Sequence, residues 1–154
     1  MLADQLALYA HGLNFCDLPD DVVHEAKRRI IDSFGCAMGA YLSEPGRIAR
    51  ETALSFQTKE GGIVLGTSNK TAPDLSAFAN GTLIRYLDYN DTYLSKEPAH
   101  PSDNIAGALG AVTGRVDGRL FITAVVIGYE IQCRLCDAAS LRKRGWDHVT
   151  YIAF

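Results

Sequence analysis

The sequence predicts an all-α, mainly helical fold. Apolar residues recur at intervals of three and four along most of the 154 residues, as they do on the buried face of a helix. Prolines and acidic residues precede several of these segments, and both are typical of helix starts. β-like patterning occurs in one short piece between glycines, at 61–66, and a strand is also possible for the β-branched part of 120–135, although the residues at 128–132 continue a helical pattern. A chain of this length suits a single domain with a substantial core.

The first half of the chain predicts three helices. Residues 2–13 have the spacing of a short amphipathic helix that ends near a glycine. Pro19, followed by two aspartates, marks the start of a longer helix whose apolar positions continue to Tyr41. Residues 43–46 predict a turn, and residues 48–56 predict a third, short helix.

The middle of the chain predicts one helix that leads into a loop. The glycines at 61–66 superficially suggest a phosphate-binding loop, but no Gly-Lys-Ser/Thr sequence follows them. Pro73 begins a helix whose apolar positions lead directly to Asp88. Pro98 and Pro101 exclude a continuous helix through the residues that follow.

Two further helices are predicted after this loop. Ser102 is suited to cap the first of them, with Asp103 in its first turn. The small residues at 106–111 would permit close approach of a neighbouring helix. After a turn at 114–118, residues 120–135 predict the most buried helix of the chain.

Composition excludes several classes of protein. The net charge of −3 gives no general reason to expect a nucleic-acid partner. No apolar run approaches the roughly 18 residues of a membrane span, and the N-terminus lacks the pattern of a signal peptide. Four cysteines do not make a disulfide framework in a chain of this size. We therefore expect reduced thiols, a cytoplasmic location and no membrane partner.

The last residues, 148–154, are apolar and have the pattern of an opening helix. Such residues need a partner surface that this sequence does not supply. We therefore expect the chain to be the N-terminal part of a longer protein.

One stretch, from Arg85 to Asn104, concentrates reactive side chains between two apolar helical segments. It contains Asp88, Thr92 and His100, and the first two would share a face if the preceding helix continued for one more turn. A rigid helix end followed by a polar loop is a good place to hold reacting groups. Histidine is the side chain best suited to exchange protons near neutral pH. The combination predicts an active site, although the aspartates could be helix caps and His100 a surface residue.

A second basic and aromatic stretch lies near the end of the chain. The run 142–144 precedes Trp146, Asp147 and His148. It could bind a carboxylate-bearing ligand and supply a second proton-transfer group. It could equally be a solvated basic turn, as we expect for the run at 27–29.

Metal binding is the main alternative for these groups. The spacing of the acidic residues and histidines matches neither a His-Glu-x-x-His helix nor a calcium loop. Cys133 and Cys136 form a lone Cys-x-x-Cys inside a helical pattern, whereas zinc ribbons need a second such pair. Core packing is the favoured interpretation of these cysteines.

Two segments of the polar stretch resemble the signature of the MmgE/PrpD family, and most closely that of its 2-methylcitrate dehydratases. They are Leu87-Asp88-Tyr89-Asn90-Asp91-Thr92-Tyr93 and Glu97-Pro98-Ala99-His100-Pro101-Ser102-Asp103-Asn104. Supporting similarities lie at 18–35, 79–82, 128–131 and 144–148. The resemblance implies a helical first domain, with a smaller α/β lid domain in the part of the fold that this chain lacks.

The resemblance also implies an activity. It implies a lyase without metal or other cofactor that dehydrates a tricarboxylate such as 2-methylcitrate to 2-methyl-cis-aconitate, in propionate catabolism. Related members decarboxylate cis-aconitate or epimerise acids. We also expect a homodimer. The alternative from another class is a non-catalytic helical module that acts only in self-association.

The family's active-site residues correspond to named positions here. Its aspartate and threonine correspond to Asp88 and Thr92, and its two histidines to His100 and His148. We expect Asp88 and His100 to be the acid–base pair, with His148 assisting and Thr92 bonded to substrate.

Two further residues complete the expected site. We expect Asp91 and Arg144 to bind substrate together with Thr92, and we expect no metal ligand.

Overall fold

The computed structural model describes residues 1–147, and the described part is mainly helical, as predicted. In chain order its elements are α1 (Leu2–Gly12), α2 (Asp20–Gly39), α3 (Glu44–Leu54), β1 (Gln57–Ile63), β2 (Lys70–Thr71), α4 (Pro73–Arg85), α5 (Asp103–Gly110) and α6 (Gly118–Ala138), with single 3-10 turns at Phe15–Asp17 and Arg142–Arg144. No helix within residues 1–147 is both long and apolar enough to cross a membrane.

The central element is α4, which packs against α2, α3, α5 and β1. Its residues Leu83 and Ile84 are fully buried. They join a core cluster with buried residues of α2, α5 and α6, namely Ala37, Ile105, Ala106 and Val125, and with Ala40, which directly follows α2. Burial of such aliphatic groups is the main force that holds helices together.

The expectation that 120–135 would be the most buried helix is wrong. α4 buries five of its 13 residues, whereas α6 buries four of 21. α6 packs on one side of the core only, and apolar residues on its other side, such as Leu120, are exposed. An apolar run indicates that a helix is hydrophobic, but it does not indicate how many elements pack around that helix.

Residues 43–46, predicted as a turn, instead begin α3. The Ser43 hydroxyl accepts a hydrogen bond from the Gly46 amide at 3.2 Å, and Pro45 occupies the first helical turn. Serine at the N-cap and proline in the first turn are helix-start signals as well as turn signals.

The strands form a small antiparallel hairpin, which Asn80 of α4 holds in place. The side-chain amide of Asn80 donates to the Ile63 carbonyl at 2.8 Å and its oxygen accepts from the Leu65 amide at 2.9 Å. Asn80 is fully buried, and these bonds satisfy both ends of its amide.

Close packing explains the glycines of this hairpin. A Cβ added at Gly62 would lie 2.5 Å from Ser76 Cβ and 2.7 Å from the Gly110 carbonyl oxygen. These glycines therefore let β1 approach α4 and α5, which accounts for them without a phosphate ligand. Gly110 has the same role, because its Cβ would lie 2.5 Å from the Pro73 carbonyl oxygen. The predicted close approach at 106–111 is confirmed.

Candidate active site

α4 ends at Arg85, and the chain turns sharply at Asp88. The Asp88 amide donates to the Arg85 carbonyl at 3.0 Å, and the backbone of Asp88 is left-handed, with φ +57°. Aspartate is among the few residues besides glycine that adopt this conformation readily. The helix therefore does not continue for the extra turn that would have placed Asp88 and Thr92 on one face.

His100 is buried beneath this turn, with 8% of its surface exposed. Its Nδ1 lies 2.8 Å from the Asp91 carbonyl oxygen, and its Nε2 lies 3.1 Å from Arg85 Nη2. A guanidinium can only donate and a carbonyl can only accept, so Nδ1 carries the proton and Nε2 has a lone pair. Thr92 Oγ1 lies 3.4 Å from the same Nδ1.

Arg85 connects two of the predicted site residues. Besides His100, its guanidinium forms an ion pair with the carboxylate of Asp88, whose side chain is 71% exposed. The structure thus brings Asp88, Thr92 and His100 together, as the sequence predicted, and adds Arg85. A sequence signal existed, because an arginine three residues before an aspartate is a common ion-pair spacing near a helix end.

The Asp91 carboxylate faces protein groups on three sides, and only 7% of the side chain is exposed. One oxygen accepts from the Ser102 amide at 3.0 Å. The other accepts from the Tyr129 hydroxyl at 2.7 Å and lies 3.8 Å from Arg29 Nη1. The expectation that residues 27–29 are solvated therefore holds for Lys27 and Arg28, whereas Arg29 is half-buried. Burial and the Asp91 charge raise the pKa of Tyr129, so its hydroxyl remains a donor.

The start of α5 is fixed by side chains of the loop. Ser102 occupies the N-cap position, but its hydroxyl makes no cap hydrogen bond and instead accepts from Asn90 Nδ2 at 2.9 Å. The same Asn90 nitrogen donates to one oxygen of Asp103 at 2.9 Å. Within residues 1–147, the other Asp103 oxygen is buried without a hydrogen-bond partner. Burial raises the pKa of Asp103 to about 6, although the nearby Arg85 favours its charged form.

Two cavities flank this segment. One, of about 640 Å³, lies between α4, α5 and α6 and is lined by Arg85, Asp103 and Asn104 among mostly small residues. The other, of about 320 Å³, lies between α2, α6 and the loop, and Thr92 and Tyr129 are among its lining residues. Both volumes suit a small organic acid.

Glu97 ties the loop to the segment that follows α6. It is fully buried, and one of its oxygens accepts from the Ser140 hydroxyl at 2.9 Å and from the Arg142 amide at 3.2 Å. Arg142 Nε lies 3.0 Å from the other oxygen. Burial acts to raise the pKa of Glu97, but these hydrogen bonds outweigh it and hold the pKa below its usual value.

Two predicted site residues, Arg144 and His148, follow the segment to which Glu97 is bonded. Arg144 is exposed on the 3-10 turn, and no side-chain hydrogen bond or ion pair joins it to the polar loop within residues 1–147. His148 lies outside the described residues.

The cysteines and acidic groups are the candidates for a metal or redox site. Across residues 1–147 no three His, Cys, Asp or Glu side chains are grouped closely enough to hold a metal ion. Cys136 is fully buried, and burial raises the pKa of both Cys136 and Cys133, the latter to about 11. Protonated thiols are poor ligands and nucleophiles, which supports core packing.

Comparison with known protein families identifies the family of this chain. The family model of the MmgE/PrpD N-terminal domain matches residues 4–154. The chain belongs to the MmgE/PrpD family. This membership agrees with the resemblance in the polar loop and with the mainly helical fold.

The relatives that the chain resembles include 2-methylcitrate dehydratases and a cis-aconitate decarboxylase. A probable 2-methylcitrate dehydratase of Saccharomyces cerevisiae is 33% identical over 142 residues, covering 82% of this chain and 28% of the relative. A 2-methylcitrate dehydratase of Cupriavidus necator is 31% identical over 140 residues, covering 82% of this chain and 29% of the relative. Human cis-aconitate decarboxylase is 28% identical over 142 residues, covering 87% of this chain and 29% of the relative. The chain therefore spans less than a third of the length of these relatives.

Proposed function

We propose that the full-length protein is a carbon–oxygen lyase that dehydrates a tricarboxylate such as 2-methylcitrate to 2-methyl-cis-aconitate without a metal ion. The observation that carries this proposal is the buried His100, whose Nε2 faces an arginine beside a carboxylate. The relatives named 2-methylcitrate dehydratase support the substrate class. We include in the proposal the role in propionate catabolism, the cytoplasmic location and the homodimer expected from the sequence.

The reaction requires two proton transfers. A proton leaves a carbon next to a carboxylate, hydroxide leaves the neighbouring carbon, and a carbon–carbon double bond forms between them. We assign the carbon proton to His100 Nε2, because this atom carries a lone pair in the neutral imidazole. The departing hydroxide takes up a proton from a general acid and leaves as water.

The acid is a separate group. The carboxylate of Asp88 is paired with the Arg85 guanidinium, and we therefore do not assign it as the acid. We therefore propose His148, the second histidine of the family resemblance, as the acid. Asp88 then orients Arg85.

Arg85 is our candidate for recognising a substrate carboxylate. Its planar fork of donors matches the two oxygens of a carboxylate, and the side chain is partly exposed at the larger cavity. A substrate carboxylate that replaced Asp88 as the partner of Arg85 would also draw the guanidinium away from His100 Nε2. Substrate binding would then free the base at the moment it is needed.

A spectroscopic assay of the full-length gene product tests the activity. 2-Methylcitrate is added with and without a chelator, and ultraviolet absorbance reports the new conjugated double bond. We expect the same rise in both samples, whereas a rise abolished by the chelator would contradict metal independence.

Product analysis with a second substrate separates the alternatives. A flat trace with 2-methylcitrate, together with release of carbon dioxide from cis-aconitate, would replace the dehydratase by a decarboxylase, the activity named for the human relative. No reaction with either acid, combined with strong self-association, would favour the non-catalytic helical module.

A further inference from the structure

We propose that Asp91 is a positioning residue for His100 rather than a substrate ligand. In this proposal the hydrogen bond from Tyr129 holds Asp91 so that its backbone carbonyl fixes the proton of His100 on Nδ1. The kinetic part of this inference rests on the proposed function, but the part that concerns the proton on His100 does not.

The carboxylate of Asp91 is already occupied by protein groups. The Tyr129 hydroxyl and the Ser102 amide each bond one of its oxygens, at 2.7 and 3.0 Å. Arg29, 3.8 Å away, provides the positive charge that a buried carboxylate requires. These partners come from α6, from the start of α5 and from α2. A substrate carboxylate would be repelled by the Asp91 charge and would find its hydrogen-bond donors in use.

The opposite side of the same residue holds His100. The Asp91 carbonyl oxygen lies 2.8 Å from Nδ1, which is shorter than the 3.4 Å from Thr92 Oγ1 to the same nitrogen. A neutral imidazole exchanges its proton between two nitrogens, and a fixed acceptor beside one of them selects the tautomer. With the proton held on Nδ1, only Nε2 can accept a proton from substrate. The direction of the Asp91 carbonyl therefore determines which nitrogen reacts.

Tyr129 controls this direction from a rigid support. It lies in α6, 38 residues after Asp91, and its partly buried ring packs against the main core cluster. A helix-borne side chain positions a loop more accurately than another loop residue would. Loss of its hydroxyl would leave the carboxylate with the Ser102 amide and the more distant Arg29, so the peptide that carries the Asp91 carbonyl could rotate.

The test compares Tyr129→Phe with the matched control Tyr93→Phe in the full-length gene product. The Tyr93 hydroxyl also bonds a carboxylate, but it bonds that of Asp137, at 3.0 Å and at an exposed position, rather than that of Asp91. The ring nitrogens of ¹⁵N-histidine-labelled protein report the tautomer, and the signal lost in His100→Asn assigns His100. Steady-state kinetics of the same proteins provide kcat and KM.

We expect a protonated Nδ1 in the wild type and in Tyr93→Phe, and a mixture of tautomers in Tyr129→Phe. We also expect kcat of Tyr129→Phe to fall about 10- to 100-fold with KM nearly unchanged, as for a misplaced catalytic group. A wild-type His100 protonated on Nε2 would overturn the inference without any variant, and so would a Tyr129→Phe protein that keeps the wild-type tautomer. A tautomer shift in a protein that dehydrates no tricarboxylate would support this inference while contradicting the proposed function.

Discussion

At the scale of single residues, the candidate site depends on the guanidinium of Arg85, which lies between two hydrogen-bond acceptors. Arg85 donates to His100 Nε2 and pairs with Asp88, so one side chain links the proposed base to the only site carboxylate that is largely exposed within residues 1–147. A guanidinium so placed can exchange Asp88 for a substrate carboxylate and turn away from His100 Nε2 as it does so. Substrate binding and release of the base would then be a single event.

Replacement of Arg85 tests its role in recognition. Arg85→Gln should raise KM for the tricarboxylate about 10-fold or more, because a charged hydrogen bond contributes on the order of 1.5–3 kcal/mol. Arg47→Gln is the matched control, since Arg47 pairs with Glu51 on the exposed surface of α3. Steady-state kinetics of both variants provide the comparison, and an unchanged KM in Arg85→Gln would remove Arg85 from substrate recognition.

The left-handed backbone at Asp88 allows the structural role of this residue to be tested separately from the role of its carboxylate. Asparagine tolerates φ +57° as aspartate does, whereas alanine pays the steric cost of this conformation, roughly 1 kcal/mol. Asp88→Asn should therefore melt near the wild-type temperature, with Asp88→Ala several degrees lower. Equal melting temperatures for the two variants would mean that the backbone conformation carries no measurable cost.

The sequence predicted part of this site for a physical reason. Asp88, Thr92 and His100 lie within 13 positions of each other in one polar loop, so local pattern was sufficient to group them. Tyr129 belongs to the site through a contact across 38 residues. Its position within an apolar helical pattern gave no sign of that contact, because periodicity indicates which face is buried but not what the face meets.

At the scale of elements, buried polar side chains join separate elements of the described part of the chain, in addition to apolar packing. Asn80 attaches α4 to the end of β1, and Glu97 attaches the loop to the residues that follow α6. Both side chains are fully buried and both are bonded to backbone or hydroxyl groups of distant segments. Such bonds fix one relative placement of two elements, which apolar contacts alone specify less strictly.

Asn80 therefore provides a stability test. Asn80→Ala should destabilise the fold by about 2–3 kcal/mol, because the Leu65 amide would be left buried without its acceptor. Asn69→Ala is the matched control, since the Asn69 side chain is exposed. Thermal unfolding of the two variants measures the difference, and an equal effect on melting temperature would show that the Asn80 bonds contribute little.

Helices were easier to predict from the sequence than their surroundings. Residues 120–135 were correctly placed in a helix, but the burial of α6 was overestimated, since apolar character does not reveal how many elements pack around a segment. The N-terminus of α3 was missed because Ser-Glu-Pro-Gly fits both a turn and a helix start. The hairpin was only partly predicted, since the pairing of β1 with β2 depends on contacts outside either strand.

At the scale of the whole molecule, the helices hold several ionisable groups of the polar loop and of the start of α5 close together in buried positions. Asp103 shows the consequence, because burial raises its pKa to about 6 from 3.8. The folded state then binds a proton more tightly than the unfolded state does between these two pH values. Stability from this residue is therefore present below about pH 4 and is lost as pH rises towards 6.

Asp103→Asn should remove this pH dependence. Relative to the variant, the wild type should lose about 1–2 kcal/mol of stability between pH 4 and pH 6, allowing for the partial exposure of the side chain. Denaturant unfolding at several pH values measures the difference, with Asp20→Asn as a control at an exposed position. If the free energies of unfolding of wild type and Asp103→Asn changed with pH in the same way, the raised pKa of Asp103 would be contradicted.

The most direct test of the proposed chemistry is the kcat of His100→Asn in the full-length gene product. The amide nitrogen of asparagine can occupy the place of Nδ1 and keep the bond to the Asp91 carbonyl, while Nε2 is removed. If Nε2 accepts the substrate proton, kcat should fall by about 100-fold or more in a protein that melts near the wild-type temperature. A folded variant with an unchanged kcat would contradict the assignment of His100 as the base.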